Sequence, residues 1–496
     1  MTKQEAVIKY ITENYLEYNS LRHDVISDKL QLRMEKPTPD PFLKDGGNSA
    51  AHKSFPSGED LGEAVVWREM TKQDINSIVC HCAQEYDTNI TSREVMTALQ
   101  SDLIPDVHPL REYILSLRPY TPDQPDWIDM VASQVRISPA PEGATDRCEA
   151  PVDRHFVAVD GRSAAPVVFH NESTASNASE LQCSASETNY SEATHSSLSE
   201  RSKADALWRA CFKKWFVAMV ASWMKDEVVN HQVLVLIGKQ GIFKTTWLEH
   251  LIPPHLRAYA CKLANSNDLN KDERLRIAEF GLISLDEIDS MNNRELNQLK
   301  SVITATDVNE RAAYAYTKER RVRLASFCAS GNRRDFLTDI TGNRRWLPFE
   351  VESIQNPFYT LLPYERMYAQ AWALAQDPLF SYWFDLDEIE VLEEHNQHFR
   401  DESNEEQLLP ILFDVPAEGK GEFMTTAQIS ERLVTYGNIK KPMALGRLGV
   451  LMGSMGYRSV TRGNRQARLR GWIVYQRDTE EIAANKKLLA KECVTV

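Results

Sequence analysis

Residues 232–248 read QVLVLIGKQGIFKTTWL. The aliphatic run Val233 to Ile237 predicts a buried strand that ends at Gly238, and a helix is expected to begin at Lys244. Between them, Gly238-Lys239-Gln240-Gly241-Ile242-Phe243-Lys244-Thr245 has the spacing G-x-x-x-x-G-K-[ST], with Phe243 where a glycine is usual. Such a loop binds phosphate. Gly238 and Gly241 let backbone N–H groups turn inward, Lys244 neutralises the β- and γ-phosphates, and the Thr245 hydroxyl holds Mg²⁺. Thr246 completes the expected nucleotide-binding set. Phe243 is a departure: if the position demands a positive φ, a bulky side chain there costs about 1–2 kcal/mol. Taken alone, the loop also reads as a purely structural strand–helix turn.

Working downstream, FGLISLDEID gives an apolar strand that ends in Asp286-Glu287. Acids at the C-terminal end of a strand face the crevice where open α/β sheets bind ligands. There Asp286 is expected to hold Mg²⁺ through water, and Glu287 to polarise an attacking water. A third strand, LASFCAS, ends at Gly331-Asn332. Asn332 either orients that water or caps the next segment. Thr341-Gly-Asn-Arg344-Arg345-Trp346 follows. In a ring of subunits Arg344 or Arg345 would reach a neighbour's γ-phosphate as an arginine finger; otherwise they form a basic surface turn.

These segments, GKQGIFKTT through ISLDEID, LKSVITATDVNERAAYAY and FCASGNRRDFLTDITGNRRWLPFEV, resemble the virulence-associated protein E family of P-loop ATPases. That family belongs to phages and mobile elements and is similar to superfamily 3 helicases of the AAA+ class. The likeness spans roughly 205–352, with a weaker one upstream from VWREMTKQDIN to YILSLRPY. It implies a ring ATPase, a hexamer, using ATP and Mg²⁺ and working on DNA in replication. Lys244 and Thr245 match the family's nucleotide loop, Asp286-Glu287 its acidic pair, Asn332 its sensor, and Arg344 or Arg345 its trans-acting arginine. Some members carry a primase domain. Residues 1–200 hold no zinc-ligand framework or paired-carboxylate core, so any primase is expected as a separate chain. Cys80-His81-Cys82 is too tightly spaced for a metal cage and reads as part of a helix.

Two further segments suggest contact with nucleic acid. In Arg311-Ala-Ala-Tyr314-Ala-Tyr316-Thr-Lys318-Glu-Arg320-Arg321-Val-Arg323, a turn near Lys318 would make a hairpin. Hairpins at this place line the pore of similar ring helicases. Arg311, Tyr314, Lys318 and Arg320 are therefore candidates for single-stranded DNA, the alternative being a solvated charged tip. Near the C-terminus, a helix from Met424 to Leu433, a turn at Gly437-Asn438, a helix from Ala444 to Met455 and two strands about Gly463-Asn464 suggest a winged helix. From Arg432 to Arg477 there are ten Lys and Arg and no Asp or Glu. Arg447, Arg462, Arg465 and Arg468 are the candidates for duplex DNA; the competing use of such a unit is protein–protein contact.

The rest of the chain frames these sites. Its 496 residues allow two to four domains. A formal charge of −14 excludes a basic nucleic-acid coat and confines any such contact to local patches. No stretch approaches the roughly 18 apolar residues of a membrane span, and eight scattered cysteines give no disulfide framework, so a cytoplasmic protein without membrane contact is expected. The expected fold is α/β: an AAA+ type P-loop ATPase core with a helical N-terminal region and a C-terminal winged-helix-like domain. The expected units are a helical segment and linker over 1–60, with helices through Val7, Ile8, Ile11 and Tyr15 and again through Val25, Ile26 and Leu30. A helical domain over 61–137 and a disordered Ser-rich insertion over 138–202 follow. Then come the ATPase domain at 203–355, a helical, acidic connector at 356–420, the winged helix at 421–478 and a tail at 479–496. Within the ATPase domain, Trp208, Cys211, Trp215, Phe216, Met219 and Trp223 form a helical stripe expected to face the core.

Overall fold

The computed structural model describes residues 2–34, 66–139, 188–263, 271–310, 319–337, 343–416, 421–463 and 468–483. Its centre is a mixed six-stranded sheet. In chain order the strands are β1 (Val135–Ile137), β2 (Val233–Ile237), β3 (Ala260–Leu263), β4 (Leu282–Leu285), β5 (Ser326–Gly331) and β6 (Trp346–Ile354). Across the sheet they run β1-β6-β2-β5-β4-β3. β2 to β6 are mutually parallel, and β1 pairs antiparallel with β6 at one edge.

β2 is buried at every residue, as a strand covered on both faces must be. Leu234 and Leu236 enter one core, and Val233, Val235 and Ile237 enter the other. The first core is built on the long helix α1 (Thr188–Met224), whose Trp208, Cys211, Trp215, Phe216, Met219 and Trp223 are all buried there. Trp215 Nε1 donates to Phe327 O at 3.1 Å and Trp223 Nε1 to Gly281 O at 3.1 Å, so the indoles also tie the helix to the sheet.

The expected disordered insertion is corrected over 188–202, which forms the first turns of α1; residues 140–187 lie outside the described residues. Once the aromatic half is packed, each further turn elongates an existing helix, and elongation is far cheaper than nucleation. Composition alone does not register that neighbour.

The N-terminal region is corrected too. The helix Lys3–Ile11 is present, but the second expected helix is a hairpin of strands Leu21–Asp24 and Lys29–Met34, continued by Val66–Glu69 and Asp106–Val107 into one sheet. The turn explains the misreading. Asp24 Oδ1 accepts from Ile26 N at 2.9 Å, its Oδ2 accepts from Ser27 Oγ at 2.5 Å, and Asp28 takes φ +56°. Val25 and Ile26 thus mimic helical spacing while sitting in a turn. Four helices occupy 72–132 as expected: Lys72–Tyr86, Ser92–Leu99, Pro109–Ser116 and Trp127–Ala132. Cys80-His81-Cys82 lies within the first of these, with Cys82 buried and Cys80 exposed.

Beyond β6 come helices Tyr364–Gln376, Leu386–Gln397 and Asn404–Leu412. The last begins in the acidic connector of the sequence reading but packs with the C-terminal unit, where Leu409 and Leu412 share a core with Ile429, Leu433, Leu448, Leu451 and Trp472. That unit runs helix, strand Glu422–Thr425, helix Thr426–Gly437, helix Leu445–Ser454, strand Arg458–Arg462 and strand Leu469–Gln476. Among the described residues, no helix is long and apolar enough to cross a membrane.

Candidate functional site

The crevice follows from the strand order. The chain leaves β2 toward β3 on one side, whereas it leaves β5 toward β6 on the other. The C-terminal ends of β2 and β5 therefore flank the point where ligands bind in open α/β sheets. β2 delivers Gly238 and β5 delivers Asn332 to that point. Both loop glycines are needed: Gly238 has φ +154° and a Cβ there would lie 2.7 Å from Val351 O, and Gly241 has φ +86°. Helix α2 (Lys244–His250) starts as expected, and Phe243 just before it adopts φ +68° and ψ +19°. The left-handed demand on a bulky residue is thus met in full, at a cost of about 1–2 kcal/mol.

Lys244 is buried, and its Nζ donates to Gly238 O and Lys239 O, both at 2.7 Å, and to Asn332 Oδ1 at 3.3 Å. Burial lowers its pKa, opposed by Asp289 and Asp286. Thr245 Oγ1 donates to Asp286 Oδ1 at 3.2 Å and lies 2.8 Å from Ser330 Oγ, which itself donates to Asp286 Oδ1 at 2.8 Å. Burial raises the pKa of Asp286, but bonds from Lys262, Ser330 and Thr245 outweigh it, so the carboxylate is held below its usual range. Glu287 follows at φ +53°, exposed. Thr246 sits on the first turn of α2, and its carbonyl is the partner of His250 Nδ1 at 2.7 Å.

The two hydroxyls of Thr245 and Ser330 and the carboxylate of Asp286 are hard oxygen donors that could hold a divalent cation such as Mg²⁺. Three of the participants were not singled out in the sequence. Ser330 is the second serine of the strand Ser326–Gly331, next to its C-terminal end. Lys262 lies on β3, with Nζ 2.8 Å from Asp286 Oδ2. Asp289 accepts from Arg333 N at 3.1 Å through Oδ2, while its buried Oδ1 has no hydrogen-bond partner among the described residues. For Ser330 and Lys262 the available signal was a polar residue next to the C-terminal end of a short strand.

Arg344 and Arg345 are not brought to this cluster. They precede Trp346, which pairs with Val233 at the opposite end of β2. A five-residue strand separates the two ends by about 16 Å. Arg344 is exposed, and burial together with Arg344 lowers the pKa of half-buried Arg345.

The expected hairpin has its stems at Asp307–Glu310 and Glu319–Val322, with Glu310 opposite Glu319. The turn expected near Lys318 lies outside the described residues. Arg311, Tyr314 and Lys318 lie outside the described residues, and Arg320 is on the second stem, opposite Asn309. In the C-terminal unit Arg447 is exposed on helix Leu445–Ser454. Arg462 ends a strand with its guanidinium 4.7 Å from the Phe423 ring centre, Arg468 is exposed, and Arg465 lies outside the described residues.

The chain is thus a mixed α/β protein whose parallel sheet gathers a lysine, hydroxyls and carboxylates at its switch point. Residues 186–406 match the family model described as the Virulence-associated protein E-like domain, a stretch that contains every residue of this cluster. Among solved structures the chain is similar to the apo structure of the NrS-1 C-terminal region. The TM-score is 0.41 and the identity 10%, over 95% of this chain and 100% of that one. The A form of the same region gives 0.39 and 9%, over 93% and 98%. No curated protein matches the chain.

Proposed function

We propose that the protein is a Mg²⁺-dependent ATPase that acts on DNA during replication of a phage or mobile element, with an AAA+ type core working in a ring. The observation that carries this reading is the convergence of Lys244, Thr245, Asp286 and Asn332 at the ends of β2, β4 and β5. In it, Lys244 draws the β- and γ-phosphates, and Thr245 and Asp286 hold Mg²⁺, which supplies charge neutralisation on the phosphates when bound. Glu287 polarises the attacking water and Asn332 orients it. Arg344 and Arg345, at the far end of the sheet from the phosphate loop of their own chain, suit action on a neighbouring subunit, which is the reason for a ring, a hexamer in the family it resembles. The segment between the 307–310 and 319–322 strands is assigned to single-stranded DNA, with Arg311, Tyr314, Lys318 and the stem residue Arg320 as its contacts. The C-terminal unit is assigned as a winged helix for duplex DNA. Any primase is a separate chain.

The test is ATP turnover with and without single-stranded DNA. Turnover stimulated by DNA and lost in Lys244→Ala and Glu287→Gln supports the motor; DNA-independent turnover refutes it. Lys318→Ala with Arg320→Ala should reduce stimulation and spare basal turnover. A second reading is an ATP-switched assembly on DNA that does not translocate. Turnover that does not respond to DNA favours it.

A further inference from the structure

A strained residue usually has a use, and the core does not supply one for Phe243. Its ring is half-buried, at the mouth of the phosphate loop. It meets Phe358 edge to face, with centroids 6.4 Å apart and planes at 80°. Phe358 is itself 61% exposed and meets His250, at the end of α2, at 5.5 Å and 84°. The segment that carries Phe358 is a built turn: Asn356 Oδ1 accepts from Phe358 N at 3.0 Å, and Asn356 O accepts from Tyr359 N and Thr360 N at 3.1 Å. It is anchored beside α2 by Tyr364, whose hydroxyl donates to His250 O at 2.7 Å. A largely exposed aromatic ring is therefore held next to the loop, against the residue that precedes Lys244.

We propose that Phe358, braced edge-on by Phe243 and His250, is the stacking platform for the base of a nucleoside triphosphate. This deepens the reading above and rests on it. The juxtaposition selects the ligand. The loop takes a polyanion, the neighbouring ring takes a flat aromatic, and a nucleotide carries both groups on one short linker. Base–aromatic stacking tolerates any base and needs an accessible ring, and Phe358 is 61% exposed.

The experiment measures the affinity of the full chain, with Mg²⁺, for ATP and for inorganic tripolyphosphate in wild type, Phe358→Ala and Phe358→Tyr. Phe358→Ala is expected to weaken ATP about 5- to 150-fold, the range for losing one base–aromatic stack, and to leave tripolyphosphate unchanged. Phe358→Tyr should keep ATP affinity. The fluorescence of 2-aminopurine riboside triphosphate should be quenched by wild type and not by Phe358→Ala. Equal loss of ATP and tripolyphosphate in Phe358→Ala would mean a structural role and overturn the proposal. So would unchanged ATP binding in Phe358→Ala, which leaves the phosphate-loop reading standing. Wild type that binds neither ATP nor tripolyphosphate would overturn both readings.

Discussion

Lys262 Nζ lies 2.8 Å from Asp286 Oδ2, on the side of the carboxylate away from Thr245 and Ser330, which bond to Oδ1. A fixed ammonium therefore competes for the group assigned to Mg²⁺. Both side chains are partly exposed, so the pair is worth at most about 1 kcal/mol. Lys262→Met should lower the Mg²⁺ concentration at half-maximal ATP turnover by about two- to five-fold. A rise instead would mean that Lys262 serves the nucleotide rather than opposing the metal. A Mg²⁺ titration of turnover reads the difference.

Phe243 offers a test of backbone strain. Phe243→Ala and Phe243→Gly remove the same ring, but only glycine adopts φ +68° without penalty. The glycine variant should be more stable than the alanine variant by about 1 kcal/mol, the reverse of the order inside a helix. Urea midpoints of the two variants decide it. Equal midpoints would mean that the loop relaxes when the ring is lost.

His395 contributes a pH dependence. It is half-buried on helix Leu386–Gln397 against Phe349, and Nε2 donates to Pro348 O at 2.7 Å. Burial lowers its pKa from 6.5 to about 4. The unfolded chain takes up a proton near pH 6.5 and the folded one resists to about 4, so folding loses stability as pH falls through that window and levels off below it. The contribution is about 3 kcal/mol. Urea midpoints at pH 7 and pH 5 should differ less in His395→Gln than in wild type. An unchanged pH slope would show that His395 takes up its proton over the same pH range in the folded and unfolded chain.

The C-terminal unit makes a prediction about salt. Arg458, Arg462 and Arg470 are exposed on its two last strands, and Arg468 is exposed just before the second of them. If they contact phosphates, the affinity of the full chain for duplex DNA should fall linearly in log–log with salt. Arg462→Ala with Arg468→Ala should then flatten that slope by about two. A slope unaffected by the pair would assign the unit to protein contact.

How much of this was legible depends on the range of the interactions. The run Val233–Ile237, the loop to Thr245 and the caps of the helices are local: a strand buried on both faces must be aliphatic, and a tight turn around phosphate must use glycine. The stripe of α1 is also local, because helical periodicity places its tryptophans on one side. These the sequence determined by itself. The hairpin at 21–34 was hidden because the Asp24 side chain, rather than any hydrophobic period, makes its turn. The helix at 188–202 was hidden because its support comes from the packed half that follows it.

The tertiary structure alone decided which polar groups meet. Ser330, Lys262 and Asp286 come from three strands, and sheet order, set by the crossovers between them, places them at one edge. The same order puts Arg344 and Arg345 at the opposite end of the sheet from the phosphate loop of their own chain, a separation that residue spacing along the chain does not encode. Phe243 and Phe358 are more than a hundred residues apart, and only the return of β6 beside β2 makes them neighbours. Local chemistry named the loop, and strand order assembled the site around it.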